Sequence, residues 1–128
     1  MLRRPGYHLE PHLDPRRVMV TCLLYFARPG DDLSFGTQFF SVSEAPRIDQ
    51  TKTFYPRESG YTCTLEKTVP FAPNTAVAFL NAGAAAHGAT IPETAPADTK
   101  RYAYQFYISP DPAALAAITG ETAGDPVD

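Results

Sequence analysis

A chain of 128 residues that is 44% hydrophobic can bury one core, and a net charge of −3, with Arg3, Arg4, Arg16 and Arg17 scattered, supplies no basic stripe for nucleic acid. No run approaches the roughly 20 apolar residues needed to cross a bilayer, and no signal-type apolar stretch follows the first charges, so a soluble cytoplasmic protein is expected. Cys22 and Cys63 lie far apart without a metal-type spacing and read as reduced core thiols.

Thirteen prolines, eight glycines, eight phenylalanines and seven tyrosines, without a long helical pattern, predict an all-β fold of short strands and tight turns. Residues 9–14 alternate apolar or proline with polar side chains. Because strand side chains repeat every two residues, His8, Glu10, His12 and Asp14 are predicted to share one face. A turn at 15–17 leads into 18–26, a nearly continuous apolar run expected as a strand buried on both faces. After a loop at 28–32, a strand at 37–42 predicts a hairpin with its predecessor. Residues 43–60 are polar and rich in turn formers, so they are expected to be the most mobile internal segment, with 51–55 able to pair as an edge strand.

Alternation resumes over 61–69, a turn at 70–74 precedes a strand at 75–80, and Asn81-Ala82-Gly83 breaks that strand ahead of His87. A final strand covers 101–109, with Tyr102, Tyr104 and Phe106 on one alternation. Ser109 to Pro112 can cap one short helix over 113–119, and the acidic tail 121–128 is expected to be disordered. The expected organisation is a β core at 1–109 followed by a short helix and tail at 110–128. Phe26, Phe39, Phe40, Phe79 and Phe106 are assigned to the core.

The chain has three histidines, and one stands two residues before an aspartate on a predicted strand. Residues i and i+2 point the same way, so a His12 nitrogen and an Asp14 oxygen can converge on one ion, and a histidine from a neighbouring strand would complete a facial triad. His87 is the natural third ligand. Two imidazoles and one carboxylate leave open positions on one side, the arrangement non-haem Fe(II) uses to accept a chelating cosubstrate and O₂. The competing readings are a hydrogen-bonded surface pair for His12 with Asp14 and a turn histidine for His87; His8 is expected to be solvated or to touch substrate.

The run Arg4-Pro5-Gly6-Tyr7-His8-Leu9-Glu10-Pro11-His12-Leu13-Asp14, then Val20 through Phe26, Gly36-Thr37, Ala78-Phe79 before His87, and Arg101-Tyr102-Ala103-Tyr104 resembles the prolyl-hydroxylase-like branch of the iron(II) and 2-oxoglutarate dependent oxygenases. The resemblance spans about residues 4–108. It implies a double-stranded β-helix, a jelly-roll or cupin-like barrel, with Fe(II) on His12, Asp14 and His87, and 2-oxoglutarate and O₂ as cosubstrates. By the same resemblance the distal carboxylate of 2-oxoglutarate falls to Arg101, assisted by the Tyr25 hydroxyl. A planar guanidinium can grip a carboxylate with two parallel hydrogen bonds, whereas Lys100 would face the other side of the strand. A surface arginine paired with Asp98 or Glu93 is the alternative for Arg101, and a core tyrosine the alternative for Tyr25.

Retention of Asp14 argues for hydroxylation over halogenation, because the family's halogenases replace the carboxylate with a small residue. The segment between His87 and Arg101 is a few residues longer than in similar chains. The helices and strands that usually precede the His-x-Asp strand in that family are expected to be lacking here, so that either the chain is a fragment or it exposes apolar surface for another chain or subunit to cover. A small-molecule or peptide substrate is expected, with Tyr55 and Arg57 as candidate contacts. The alternative class is a non-catalytic metal-binding β-barrel module or truncated remnant; a cupin-like enzyme such as an isomerase fits less well, for want of a further His or Glu ligand.

Overall fold

The computed structural model describes residues 1–15, 17–43, 51–81, 85–109, 111, 113, 116 and 117. The fold is all-β, and the described residues form eight strands: β1 (Leu2–Arg3), β2 (His8–His12), β3 (Val20–Tyr25), β4 (Gln38–Val42), β5 (Cys63–Thr68), β6 (Ala76–Leu80), β7 (Ala86–Thr90) and β8 (Arg101–Ile108). Two short 3₁₀ turns, Leu33–Phe35 and Pro56–Ser59, interrupt the loops. The strands form two antiparallel four-stranded sheets, ordered β1-β8-β3-β6 and β2-β7-β4-β5. Among the described residues the ladders stay in these two sheets and do not join into a closed barrel, which corrects that part of the expectation. The helix expected over 113–119 falls largely, and the tail 121–128 wholly, outside the described residues.

Inward side chains of both sheets meet in one core. Leu23, Tyr25, Val77 and Ala103 from the first sheet pack with Phe35, Phe71 and Ile91, and Phe39 from the second sheet joins them. Alternation holds along the first sheet: Thr21, Leu23 and Tyr25 face inward opposite Tyr107, Gln105 and Ala103. The other face of β3 is only partly covered, with Val20 and Cys22 half-buried. Leu24 and Phe26 are exposed there beside Tyr104, Phe106, Ile108 and Leu80, so Phe26 and Phe106 are not core residues. An apolar run looks the same in sequence whether its second face is covered or open, which is why alternation could not separate the two.

The expected hairpin between the third and fourth strands does not form. Strand β3 pairs with β6 and β8, while β4 pairs with β5 and β7 in the other sheet. The connection carries a 3₁₀ turn capped by the Asp32 carboxylate, which accepts from the Ser34 N–H, and it crosses from one sheet to the other. Gly36 ends this crossing where a Cβ would lie 1.6 Å from the Val69 carbonyl oxygen, so no side chain fits there. In the middle loop, residues 44–50 lie outside the described set; Phe54 bridges Leu13, and 55–60 folds as a 3₁₀ turn against β2. Cys22 and Cys63 are both free and half-buried. Among the described residues no helix is long and apolar enough to cross a membrane.

Candidate metal centre

The site begins with an irregularity in β2. His8 pairs with Thr90 and Leu9 with Ala89, but His12 pairs with His87, so one extra residue of β2 is accommodated between Leu9 and His12. This β-bulge breaks the expected alternation. His8 and Glu10 face outward, where His8 hydrogen-bonds Thr90 and the Glu10 carboxylate. Beyond the bulge, His12 and Asp14 turn inward and share a cavity wall with Tyr7 and Leu9. The four polar side chains therefore divide between two faces. The bulge is possible because Gly88 lies beneath it: a Cβ at Gly88 would stand 2.4 Å from the Leu9 carbonyl oxygen.

Three buried side chains converge there. The ligand atoms of His12, Asp14 and His87 all lie within 4.8 Å of one another. His12 Nε2 is 3.5 Å from Asp14 Oδ1, and His87 Nε2 is 3.6 Å from Asp14 Oδ2. An ion bonded at about 2.1 Å holds neighbouring donor atoms roughly 3 Å apart, so these separations need only a slight closing. The imidazoles are oriented from behind. His12 Nδ1 lies 2.9 Å from the Glu10 carbonyl and His87 Nδ1 lies 2.9 Å from the Ala85 carbonyl. Each Nδ1 then carries the proton and each Nε2 offers its lone pair to the site.

The electrostatics suit a divalent cation. Burial, together with the nearby charge of His12, pushes His87 down from 6.5 to about 4 despite the opposing pull of Asp14, so it is neutral at neutral pH. Burial raises the Asp14 carboxyl, but the neighbouring His12 and His87 imidazoles and the Thr21 hydroxyl outweigh it and hold the group below its ordinary value. The Thr21 hydroxyl donates to Asp14 Oδ2 at 2.7 Å, and the Asn81 amide reaches the carbonyls of Asp14, Pro15 and Val18 to fix the turn that follows. The rings of Phe79 and Phe39, with centroids 4.6 and 6.4 Å from that of His87, wall the site. Two imidazoles and one carboxylate on a cavity wall are a set of donors that could hold a divalent metal ion.

The same cavity, about 300 Å³ in volume, extends to Arg101. Arg101 is the first residue of β8 and only 4% exposed; its Nε donates to the Phe35 carbonyl at 2.6 Å. Its guanidinium carbon lies 5.5 Å from the ring centroids of both Tyr25 and Phe71. Among the described residues no carboxylate comes within ion-pair distance of it. Lys100 lines a different cavity, beside Asp98 and Asp31. The Tyr25 hydroxyl donates to Thr37 Oγ1 at 2.6 Å and accepts from the Thr37 N–H at 2.7 Å, so its proton is already engaged.

Of the two candidate substrate contacts, Tyr55 lines the cavity, its ring centroid 5.7 Å from that of His12. Arg57 instead reaches outward, pairing with Glu10 at 3.1 Å. Thr21, Asn81 and Gly88 escaped the sequence reading, since a threonine in a strand looks like any β-former and the other two act through backbone contacts. The fold and site define an all-β protein with a buried His-Asp-His centre. No protein-family model, curated protein or solved structure matches the chain.

Proposed function

We propose that the chain is the core of an Fe(II)- and 2-oxoglutarate-dependent oxygenase that hydroxylates a small-molecule or peptide substrate in the cytoplasm. The observation that carries this reading is one cavity with two kinds of wall: the His12, Asp14 and His87 donors, and a buried Arg101 with no carboxylate partner among the described residues. A cosubstrate that chelates a metal through a 2-oxoacid group and ends in a second carboxylate requires both. The strand orders, in which β2 and β3 or β7 and β8 belong to opposite sheets, support a double-stranded β-helix as the parent architecture.

When bound, iron would supply the oxidative chemistry that couples decarboxylation of 2-oxoglutarate by O₂ to substrate hydroxylation, with release of succinate and CO₂. The protein contributes position and environment. His12, Asp14 and His87 would hold the ion through two imidazoles and one carboxylate. Retention of the Asp14 carboxylate occupies the position a halide would need. Arg101 presents its planar fork to the distal carboxylate, while the Phe35 carbonyl and the flanking Tyr25 and Phe71 rings hold that fork in place. Phe39 and Phe79 keep water from the histidine side, and Tyr55 stands over His12 where a substrate would enter.

Incubating the full chain with Fe(II), 2-oxoglutarate and air tests the proposal, with succinate as the readout. Succinate formation above a His12→Ala control is expected even without the physiological substrate. Stoichiometric metal binding with no succinate would reject the oxygenase reading in favour of a non-catalytic metal-binding module.

A further inference from the structure

Arg3 stands directly opposite Arg101, because β1 pairs with the start of β8 in the register Arg3↔Arg101. Side chains paired across two strands point to the same face, and both arginines line the metal-site cavity. Like charges placed opposite one another on a sheet repel, and among the described residues neither arginine has a carboxylate within ion-pair distance. Arg3 is only weakly satisfied. Its Nε is buried without a hydrogen-bond partner, the sole such side-chain atom among the described residues, and its Nη2 meets only the Met1 sulfur at 3.8 Å. The Tyr7 ring lies under the guanidinium, 4.6 Å from its carbon, and so fixes its plane without neutralising its charge.

We propose that Arg3 is a second cationic anchor, and that the distal carboxylate of the bound 2-oxoacid is held between Arg3 and Arg101. The inference rests on the oxygenase reading and adds a residue and a selectivity to it. Two guanidiniums on one anion explain an arrangement that is unfavourable when empty, and they supply the polar contacts that the Tyr25 hydroxyl, already engaged with Thr37, does not offer. The clamp selects for a dicarboxylic oxoacid over one ending in a methyl group, since an uncharged end would leave both guanidiniums without a counter-charge.

The test uses the full chain loaded with Zn(II), which has no redox chemistry, and calorimetry with two ligands, 2-oxoglutarate and 2-oxopentanoate. Arg3→Gln is expected to weaken 2-oxoglutarate about tenfold or more, to leave Zn(II) and 2-oxopentanoate affinities unchanged, and to keep or raise the melting temperature of the ligand-free protein by removing repulsion. Arg3→Lys keeps the charge without the fork and should fall between wild type and Gln. Unchanged 2-oxoglutarate affinity in Arg3→Gln, with wild type binding normally, overturns the clamp and leaves the oxygenase reading standing. Equal weakening of both ligands with a lowered melting temperature assigns Arg3 a structural role and also overturns it. A wild-type protein that takes up Zn(II) but no 2-oxoglutarate overturns the clamp and the oxygenase reading together.

Discussion

Replacing Thr21 with valine probes the metal centre without touching a ligand. Thr21 is 0% exposed on β3, and its hydroxyl donates to Asp14 Oδ2 at 2.7 Å. Valine keeps the branched shape and the strand preference and removes only the donor. A hydrogen bond to an ionised, buried carboxylate contributes roughly 1.5–3 kcal/mol, which translates to about a ten- to hundredfold loss of metal affinity. With one of the groups that lower it gone, the Asp14 carboxyl also rises toward its ordinary value, and the metal-free protein loses stability at neutral pH. Zinc titration by calorimetry, paired with thermal unfolding of the metal-free form, reads both effects. Thr21→Ser, which keeps the hydroxyl, should bind metal nearly as wild type. A valine variant with wild-type zinc affinity would refute the claim that Thr21 holds Asp14 in its ligating pose.

The ligands themselves give a larger effect: His12→Ala or Asp14→Ala should abolish stoichiometric Fe(II) or Zn(II) binding by calorimetry. Substitution of Arg101 should rank wild type, Lys, Ala in 2-oxoglutarate affinity, with Ala weaker by about ten- to a hundredfold and metal affinity nearly intact; a change in neither would make Arg101 purely structural. Gly88→Ala puts a Cβ against the Leu9 carbonyl and should cost about 1–3 kcal/mol by denaturant unfolding while also weakening zinc, because the bulge that aims His12 must shift. The metal-free protein should lose stability as pH falls from 6.5 toward 4. Its unfolded form takes up a proton at His87 that the folded form refuses until about pH 4, a difference of about 3 kcal/mol. Asp14, lowered in the fold, adds to the loss only at still lower pH. Urea unfolding that gives a flat profile between pH 4 and 7 would contradict the buried, neutral state of His87.

The sequence declared its fold class through alternation, and β3, β5, β6 and β8 lie within a residue or two of where the pattern predicts them. Strand β7 was invisible. Ala86-His87-Gly88-Ala89-Thr90 has almost none of the branched and aromatic residues that mark strands, and it is built of small residues because it runs through the middle of the second sheet under the bulge. The triad was legible because histidine is scarce in the chain and the His-x-Asp spacing survives as two inward side chains. The cavity wall was misassigned, since strict alternation grouped His8 and Glu10 with His12, and nothing in the residues around Pro11 announces an extra residue in the ladder. Arg3 could not be found either: its value comes from the register with Arg101, 98 positions away, which no local pattern encodes.

The bulge in β2 also makes the site modular. The segment before it takes its register from Thr90 and Ala89, and the segment after it from His87. Tyr7 and Leu9, which shape the cavity wall, are thereby uncoupled from His12 and Asp14, which present the donors, although all four share one short stretch of chain. Selection for a different ligand shape can rework Tyr7 or Leu9 while the bulge absorbs small backbone adjustments before they reach the histidine. A regular strand through the same residues would face either the apolar wall or the donor pair into the cavity, so recognition and chemistry could not evolve side by side on it.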